Sequence, residues 1–362
     1  MVSYGMVSNY ATKPFWNRKI YHMNISSKSL LSLAGLIAVG LAANPASAGI
    51  TLTSADSNVG TAGAPSSGTL SSDGSFIGFS GGPGYDANGF SSPTYIVNGP
   101  AFTGGLGGAT TGNDAAITYQ GGDGGNGLQV FSNTAITINS GTFTGGLGGP
   151  ADGLGSNLFG GYGGSGLNVN TASADVYGGI FLGGDSGSAT GIGNFGSNFA
   201  GSGVNANNSS VVNIFGGTFT GGNGNPAGNG GTADTENNGD GLIDLGGILN
   251  VYGGTFKGGN SGTNGYGIDV FIGTTTLYGT NFFVNGVAAP NGPVTGMGTI
   301  TGNLLDNTGA TTLAYRVIGG SLNLSTTPVP EASAAVSLGL LIALGFGGFV
   351  VGARRRMCLA QA

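Results

Sequence analysis

The sequence predicts an all-β chain built as a repeat solenoid, most simply a parallel β-helix with Gly-rich loops, and three observations carry that prediction. A phrase that runs aromatic or polar residue, Gly, Gly, Thr, Phe, any residue, Gly, Gly is clear at Thr142-Phe143, Ile180-Phe181, Thr218-Phe219 and Thr255-Phe256, with degenerate copies at Ala101-Phe102 and Asn281-Phe282. The intervals between these phenylalanines are 41, 38, 38, 37 and 26 residues, the self-similarity of an array. Each phrase follows alternating aliphatic residues such as Ile136 and Ile138, Val212 and Ile214, or Leu249 and Val251. An alternation of period two marks strands with one buried face.

Taken in chain order, one unit reads Gly, strand, polar turn, strand, Gly-Gly, short Thr-Phe strand, Gly-Gly. The first strand is the pair Leu128/Val130, Leu167/Val169, Val204/Ala206 or Ile268/Val270, introduced by Gly127, Gly166, Gly203 or Gly267. Three strands in about twenty residues is the pattern of one turn of a parallel β-helix, and stacking would align Phe143, Phe181, Phe219 and Phe256 as an interior ladder. The longer units carry about twelve further Gly/Asn/Ser-rich residues, expected as a loop on one face. Glycine is expected at tight corners that need positive φ. A flexible Gly-rich chain is the competing reading. A β-sandwich does not account for the repeated units, and a collagen helix would need a strict G-X-Y period.

The array is expected over residues 95–298, after a Gly/Ser-rich segment at 49–94. Strands within 299–317 are expected to cap its open end, and 318–328 reads as a linker.

Composition narrows the function classes. The chain holds 80 Gly among 362 residues and only 7% charged residues, outside ordinary globular usage. Seven of nine basic residues lie in the two termini, so in residues 49–327 fourteen acids from Asp56 to Asp306 face only Lys257 and Arg316, a balance of −12. Without clustered Lys or Arg there is no phosphate-binding groove, and nucleic acid is excluded as a partner. The single cysteine, Cys358, can form no intramolecular disulfide.

The two ends read as address labels. Lys28, an apolar run from Leu30 to Ala43, Asn44-Pro45 and the triplet Ala46-Ser47-Ala48 have the charged, apolar and cleavage-site order of a secretory signal peptide, with cutting expected after Ala48. This implies delivery by the Sec translocon and cutting by signal peptidase. Residues 1–48 thus form an extension and signal helix; Met23 opens a more ordinary leader than Met1, so translation is expected to start there. At the other end, residues 334–353 carry no charge over a length that crosses the hydrocarbon core. Arg354, Arg355 and Arg356 follow, which holds that end in the cytoplasm and puts the body outside.

Just before the apolar span stands Val329-Pro330-Glu331-Ala332-Ser333. The order of proline motif, apolar helix and arginine cluster over 329–357 resembles the PEP-CTERM sorting signal, with Ala332 in place of the usual second proline. The resemblance implies transient anchoring in the inner membrane, cutting near the motif by an exosortase-like membrane protease, and release to the envelope surface or extracellular matrix beside exopolysaccharide. Without that processing, the same residues form a permanent single-pass anchor.

Little chemistry is written between the ends. No His or Cys stands between residues 49 and 330, which excludes nucleophilic triads, zinc sites and imidazole catalysis there. The acids are scattered singly and read as solvated loop charges rather than a glycosidase pair. The best local exception is Asp234, Glu236, Asn238, Asp240 and Asp244, oxygen donors at alternate positions around glycine as in a calcium loop, with Leu245 where the bidentate Glu would stand. The plainer reading is that Leu242-Ile243 begin a strand and the acids crowd its approach. No other cofactor is expected. The first functional reading is a non-enzymatic structural or adhesive surface protein. The second is a carbohydrate-binding or calcium-stiffened module, which exposed Tyr162, Tyr177, Tyr252 and Tyr278 would favour. The third is a degenerate β-helix polysaccharide lyase, which two cations serve poorly.

Overall fold

A computed structural model describes residues 50–63, 69–70, 75–88, 94–196, 198–224, 238–259, 265–289 and 291–326. The expected cleavage triplet Ala46-Ser47-Ala48, the Val329–Ser333 motif, the 334–353 span and Arg354–Arg356 lie outside them. Among the described residues none forms an α-helix, and no helix is long and apolar enough to cross a membrane.

Twenty strands form one large sheet curled into a half-barrel. Most of it consists of three columns in which successive units pair in parallel. In the first column Tyr85–Asn88, Leu128–Phe131, Leu167–Asn170, Val204–Asn207, Leu242–Leu245 and Ile268–Val270 lie side by side. The second brings together the strand segments that hold Ile50, Tyr95, Ile136, Ala174, Val212 and Leu249 in register. The third stacks Phe102, Phe143, Phe181, Phe219 and Phe256 in register. The pairing therefore starts at Ile50–Thr53, inside the segment set apart as Gly/Ser-rich.

Polar turns join the first column to the second through left-handed residues: Ser132 and Asn133 have φ of 58° and 61°, and Asn208 and Ser209 of 44° and 61°. Asn tolerates this region better than most residues, which suits the Asn/Ser-rich text of these turns.

Alternation sorts the side chains. Phe102, Phe143, Phe181 and Phe219 are fully buried, and consecutive rings from Phe143 to Phe256 stack with centroids 4.8, 4.9 and 5.0 Å apart. Identical parallel strands about 4.8 Å apart place identical rings in contact, so one repeated residue becomes a continuous apolar column. One row of that core breaks the pattern. Asp244 occupies the inward place held by Val130, Val169 and Ala206 in neighbouring strands and by Val270 in the next. It is fully buried, and accepts from Thr275 Oγ1 at 3.0 Å and the Gly247 N–H at 2.8 Å.

The glycines do something different from what corner geometry predicts. Gly105 donates to the Gly82 carbonyl, Gly125 to Gly105, Gly146 to Gly125, Gly164 to Gly146, Gly184 to Gly164, Gly201 to Gly184, Gly222 to Gly201, Gly239 to Gly222 and Gly259 to Gly239, all at 2.7–2.9 Å. Between them, Gly104, Gly107, Gly121, Gly124, Gly145 and Gly148 donate to the equivalent segment one unit further on. Two glycine arms per unit thus form a hydrogen-bonded layer of backbone alone, neither helix nor β ladder.

Close approach, not positive φ, demands the residue. A Cβ on Gly104 would land on the Gly125 carbonyl oxygen, and one on Gly145 on that of Gly164. The arms carry a local period of three, as in Gly104-Gly105-Leu106-Gly107-Gly108 and Gly160-Gly161-Tyr162-Gly163-Gly164. The two glycines of each triplet face other arms and the third side chain projects outward, with Leu106, Leu147, Tyr162 and Phe199 all exposed.

The extra residues of the longer units also depart from expectation. They are not loops: Thr110–Asn113, Thr118–Gln120, Ala151–Phe159 and Ala189–Gly196 belong to a second, six-stranded sheet with a small core of Tyr119, Leu158 and Ala189. Alternation is diluted there by Gly153, Gly191 and Gly193, all at positive φ, which hides the strands from a pattern search.

At the C-terminal side the mode of pairing changes. Gly292–Leu304 runs antiparallel both to Thr274–Val284 and to Thr311–Ser325. Thr311–Ser325 also completes the first two columns in parallel, with Tyr315–Val317 beside Ile268–Val270 and Ser321–Leu324 beside Thr274–Leu277. Residues 318–325 are therefore strand rather than linker, because Leu322 and Leu324 continue the buried rows of the second column.

Candidate functional site

The first column presents a polar outer face. Its outward positions in register are Gln129, Asn168, Asn205, Ile243, Asp269 and Arg316. The neighbouring glycine arms bring outward third residues alongside. Where Tyr162 and Phe199 stand on those arms, a groove of about 390 Å³ opens between them and Asn205, Asp240, Asp269 and Arg316. That volume falls within the range of about 300–1,000 Å³ usual for small-molecule pockets.

One wall is aromatic. Tyr162 and Phe199 are 40% and 54% exposed, with ring planes 9° apart and centroids at 6.3 Å. The Tyr162 N–H donates to Asp123 Oδ1 at 3.0 Å, which fixes its arm against the preceding unit. Phe271, 41% exposed, also borders the groove.

The floor is charged but internally balanced. Arg316 meets Asp269 through two bonds, Nε to Oδ1 at 3.2 Å and Nη2 to Oδ2 at 2.6 Å, and its guanidinium carbon lies 4.7 Å from the centre of the Tyr266 ring. The bidentate fork and the ring above it match the two modes arginine favours. Asp240 is buried beside this pair and accepts the Tyr266 N–H at 2.7 Å. Burial, with Asp269 adding like-charge repulsion, pushes the Asp240 carboxyl up to about 8 against the opposing pull of that N–H and of Arg316. Asn205 Oδ1 is buried at the groove wall with no hydrogen-bond partner.

Of the five oxygen donors singled out in the sequence, the three described ones do not come together. Asp234 and Glu236 lie outside the described residues. Asn238 and Asp240 reach the groove, whereas Asp244 turns into the core toward Thr275. Among the described residues no group of three or more His, Cys, Asp or Glu is placed to hold a metal ion. The reading of the acids as solvated loop charges also fails for Asp240, Asp244 and Asp269, all buried. Hydrogen bonds and one guanidinium replace the water they lose.

The four tyrosines divide. Tyr162 and Tyr177 are exposed, while Tyr252 and Tyr278 are buried, yet not with the phenylalanines. Tyr177, Phe215, Tyr252 and Tyr278 instead form a second stack on the other side of the sheet, with centroids 4.6–4.9 Å apart. The stack is overlaid where the backbone of Leu305 and Asp306 donates to the Tyr278 and Tyr252 carbonyls. Phe199 and Phe215 join these rings although both lie outside the Thr-Phe phrase that marks the repeat.

No family model, curated protein or solved structure matches the chain. The groove is therefore interpreted from its own chemistry.

Proposed function

We propose that the chain is an exported, non-enzymatic protein of the cell surface or extracellular matrix, structural or adhesive in role, whose body is a parallel β-helix solenoid. The observation that carries this reading is the pair of end signals: Ala46-Ser47-Ala48 behind an apolar run, and Val329–Ser333 before an uncharged span and Arg354–Arg356. The Sec translocon and signal peptidase would act at the first. An exosortase-like protease would act at the second, after a transient stay in the inner membrane.

What supports a structural role for the body is its inventory and its pairing. Residues between 49 and 330 lack His and Cys. Parallel columns joined by a glycine layer give an extended surface of Asn, Thr and Asp rather than a cleft lined by reactive groups. The lyase reading needs a cationic side chain open to substrate in a cleft; Arg316 is engaged by Asp269, and the exposed Lys257 does not line the groove.

Intact-mass analysis of protein from the native envelope and medium tests the proposal. A species that begins at Gly49 and ends near Val329–Ser333 is the expected result. A full-length chain found only in the cytosol overturns it. A second reading, a carbohydrate-binding module, is favoured by the exposed Tyr162–Phe199 pair beside buried polar groups. Its calcium-stiffened form is tested by a melting-temperature titration with calcium of wild type and Asn238→Ala.

A further inference from the structure

We infer that the groove bounded by Tyr162, Phe199, Asn205, Asp240, Asp269 and Arg316 is a binding site for a short stretch of an uncharged polysaccharide, an inference that rests on the proposed surface role and names its ligand. Four observations converge on it.

First, the aromatic pair is out of place on structural grounds. The interior Phe column and the stack ending at Tyr278 bury their rings against neighbours, whereas Tyr162 and Phe199 sit at the outward third position of glycine arms and stay about half exposed. Equivalent outward positions elsewhere hold Leu106, Leu147, Asp123 or Asp185, so the arm itself requires no ring there. Exposed aromatic surface beside polar groups suits the C–H faces of a pyranose ring.

Second, the floor carries polar groups held at fixed positions by the strand register. Asn205, Asp269 and Arg316 lie on three strands of one column, with Ile243 between the first two, so their spacing is set by the strands. Asn205 Oδ1 lacks a donor and is closed to solvent, so a ligand hydroxyl would supply one once the side chain turns toward the groove.

Third, the charge balance selects against ions. Arg316 neutralises Asp269, and the raised Asp240 carboxyl carries its proton at neutral pH. The site therefore lacks the free cation that a uronate would need and the free carboxylate that an ammonium group would need. The body's balance of −12 further repels acidic polymers.

Fourth, the groove runs along the stacking direction of the units. Its floor crosses successive strands from Asn205 to Arg316, and its aromatic wall crosses successive arms from Tyr162 to Phe199. A linear ligand can lie along that direction and touch several units at once.

The test is calorimetric titration of the purified full chain with neutral gluco-, manno- and galacto-oligosaccharides and with uronate oligosaccharides of matched length. Saturable binding to at least one neutral series is expected, weakened about tenfold or more by Tyr162→Ala and by Phe199→Ala, with Tyr177→Ala, an exposed ring elsewhere, matching wild type. Asn205→Ala gives a second, non-aromatic check and is expected to weaken the same binding. Circular dichroism melting of each variant confirms that these surface changes leave the fold intact. Absence of binding to every neutral series, binding only to uronates, or equal binding by wild type and the two aromatic variants overturns the inference. An exported, doubly cleaved chain that binds no sugar removes this site alone. A cytosolic chain that binds sugar removes the export reading and leaves the site.

Discussion

Asp240 shows how far a single residue can depart from what its sequence neighbours suggest. Flanked by Gly239 and Gly241 it reads as a loop charge, yet the fold buries it beside Asp269 and raises its pKa to about 8. The folded state therefore holds a proton that the unfolded chain releases near pH 4. The resulting stability is complete below pH 4 and is lost as pH rises toward 8. Melting temperatures of wild type and Asp240→Asn, measured from pH 4 to 8, should diverge steadily, with the variant showing the flatter profile; parallel profiles would refute the assignment. Arg316→Met should be severe, costing about 3–5 kcal/mol in chemical denaturation, because it leaves Asp269 charged and buried without a partner. The glycines permit a sharper contrast. Gly146→Ala would push a methyl group into the Gly105 carbonyl and should destabilise by about 3 kcal/mol or more. Gly309→Ala has open space and no positive φ, so it should be neutral or stabilise by about 0.4–1 kcal/mol.

At the scale of elements, the Phe strands and the glycine arms are stabilised by opposite means. The third column depends on apolar rings: Phe181 is fully buried between Phe143 and Phe219, while Ile180 beside it is 45% exposed. Phe181→Ala should cost about 3–5 kcal/mol and Ile180→Ala far less, a difference that denaturant titration of the two variants resolves. The arms have no side chains to bury and depend on hydrogen bonds from backbone to backbone. The three strand columns were legible because alternation in short segments such as Val212-Asn213-Ile214 survives in every unit. The strands of the second sheet were not, since Gly153 and Gly191 interrupt the alternation and their pairing partners lie one whole unit away. The continuation of Thr311–Ser325 was likewise hidden: Gly319-Gly320 reads as a break, and only the waiting edge of Thr274–Leu277 turns Ser321–Leu324 into strand.

For the whole molecule, each unit contacts its neighbours in a register that repeats, so units should be removable only whole. Deleting residues 167–203 joins Gly166 to Val204 as Gly203 is joined now, and the Phe column closes from Phe143 to Phe219. That deletion should retain a cooperative circular-dichroism melt, whereas deleting 167–185, which removes the strands but leaves the outer segment, should abolish it. The sequence by itself determined the all-β class, the repeat interval, the inward phenylalanines and the lack of His and Cys between residues 49 and 330, because these are properties of composition and of local period. Tertiary structure alone decided why the chain needs so much glycine, which acids are buried, and that Tyr162, Phe199, Asp269 and Arg316 border one groove. Each of those facts depends on which backbones approach across units some 38 residues apart, as Phe143 and Phe181 do, and a contact of that span leaves no mark on the text between its ends.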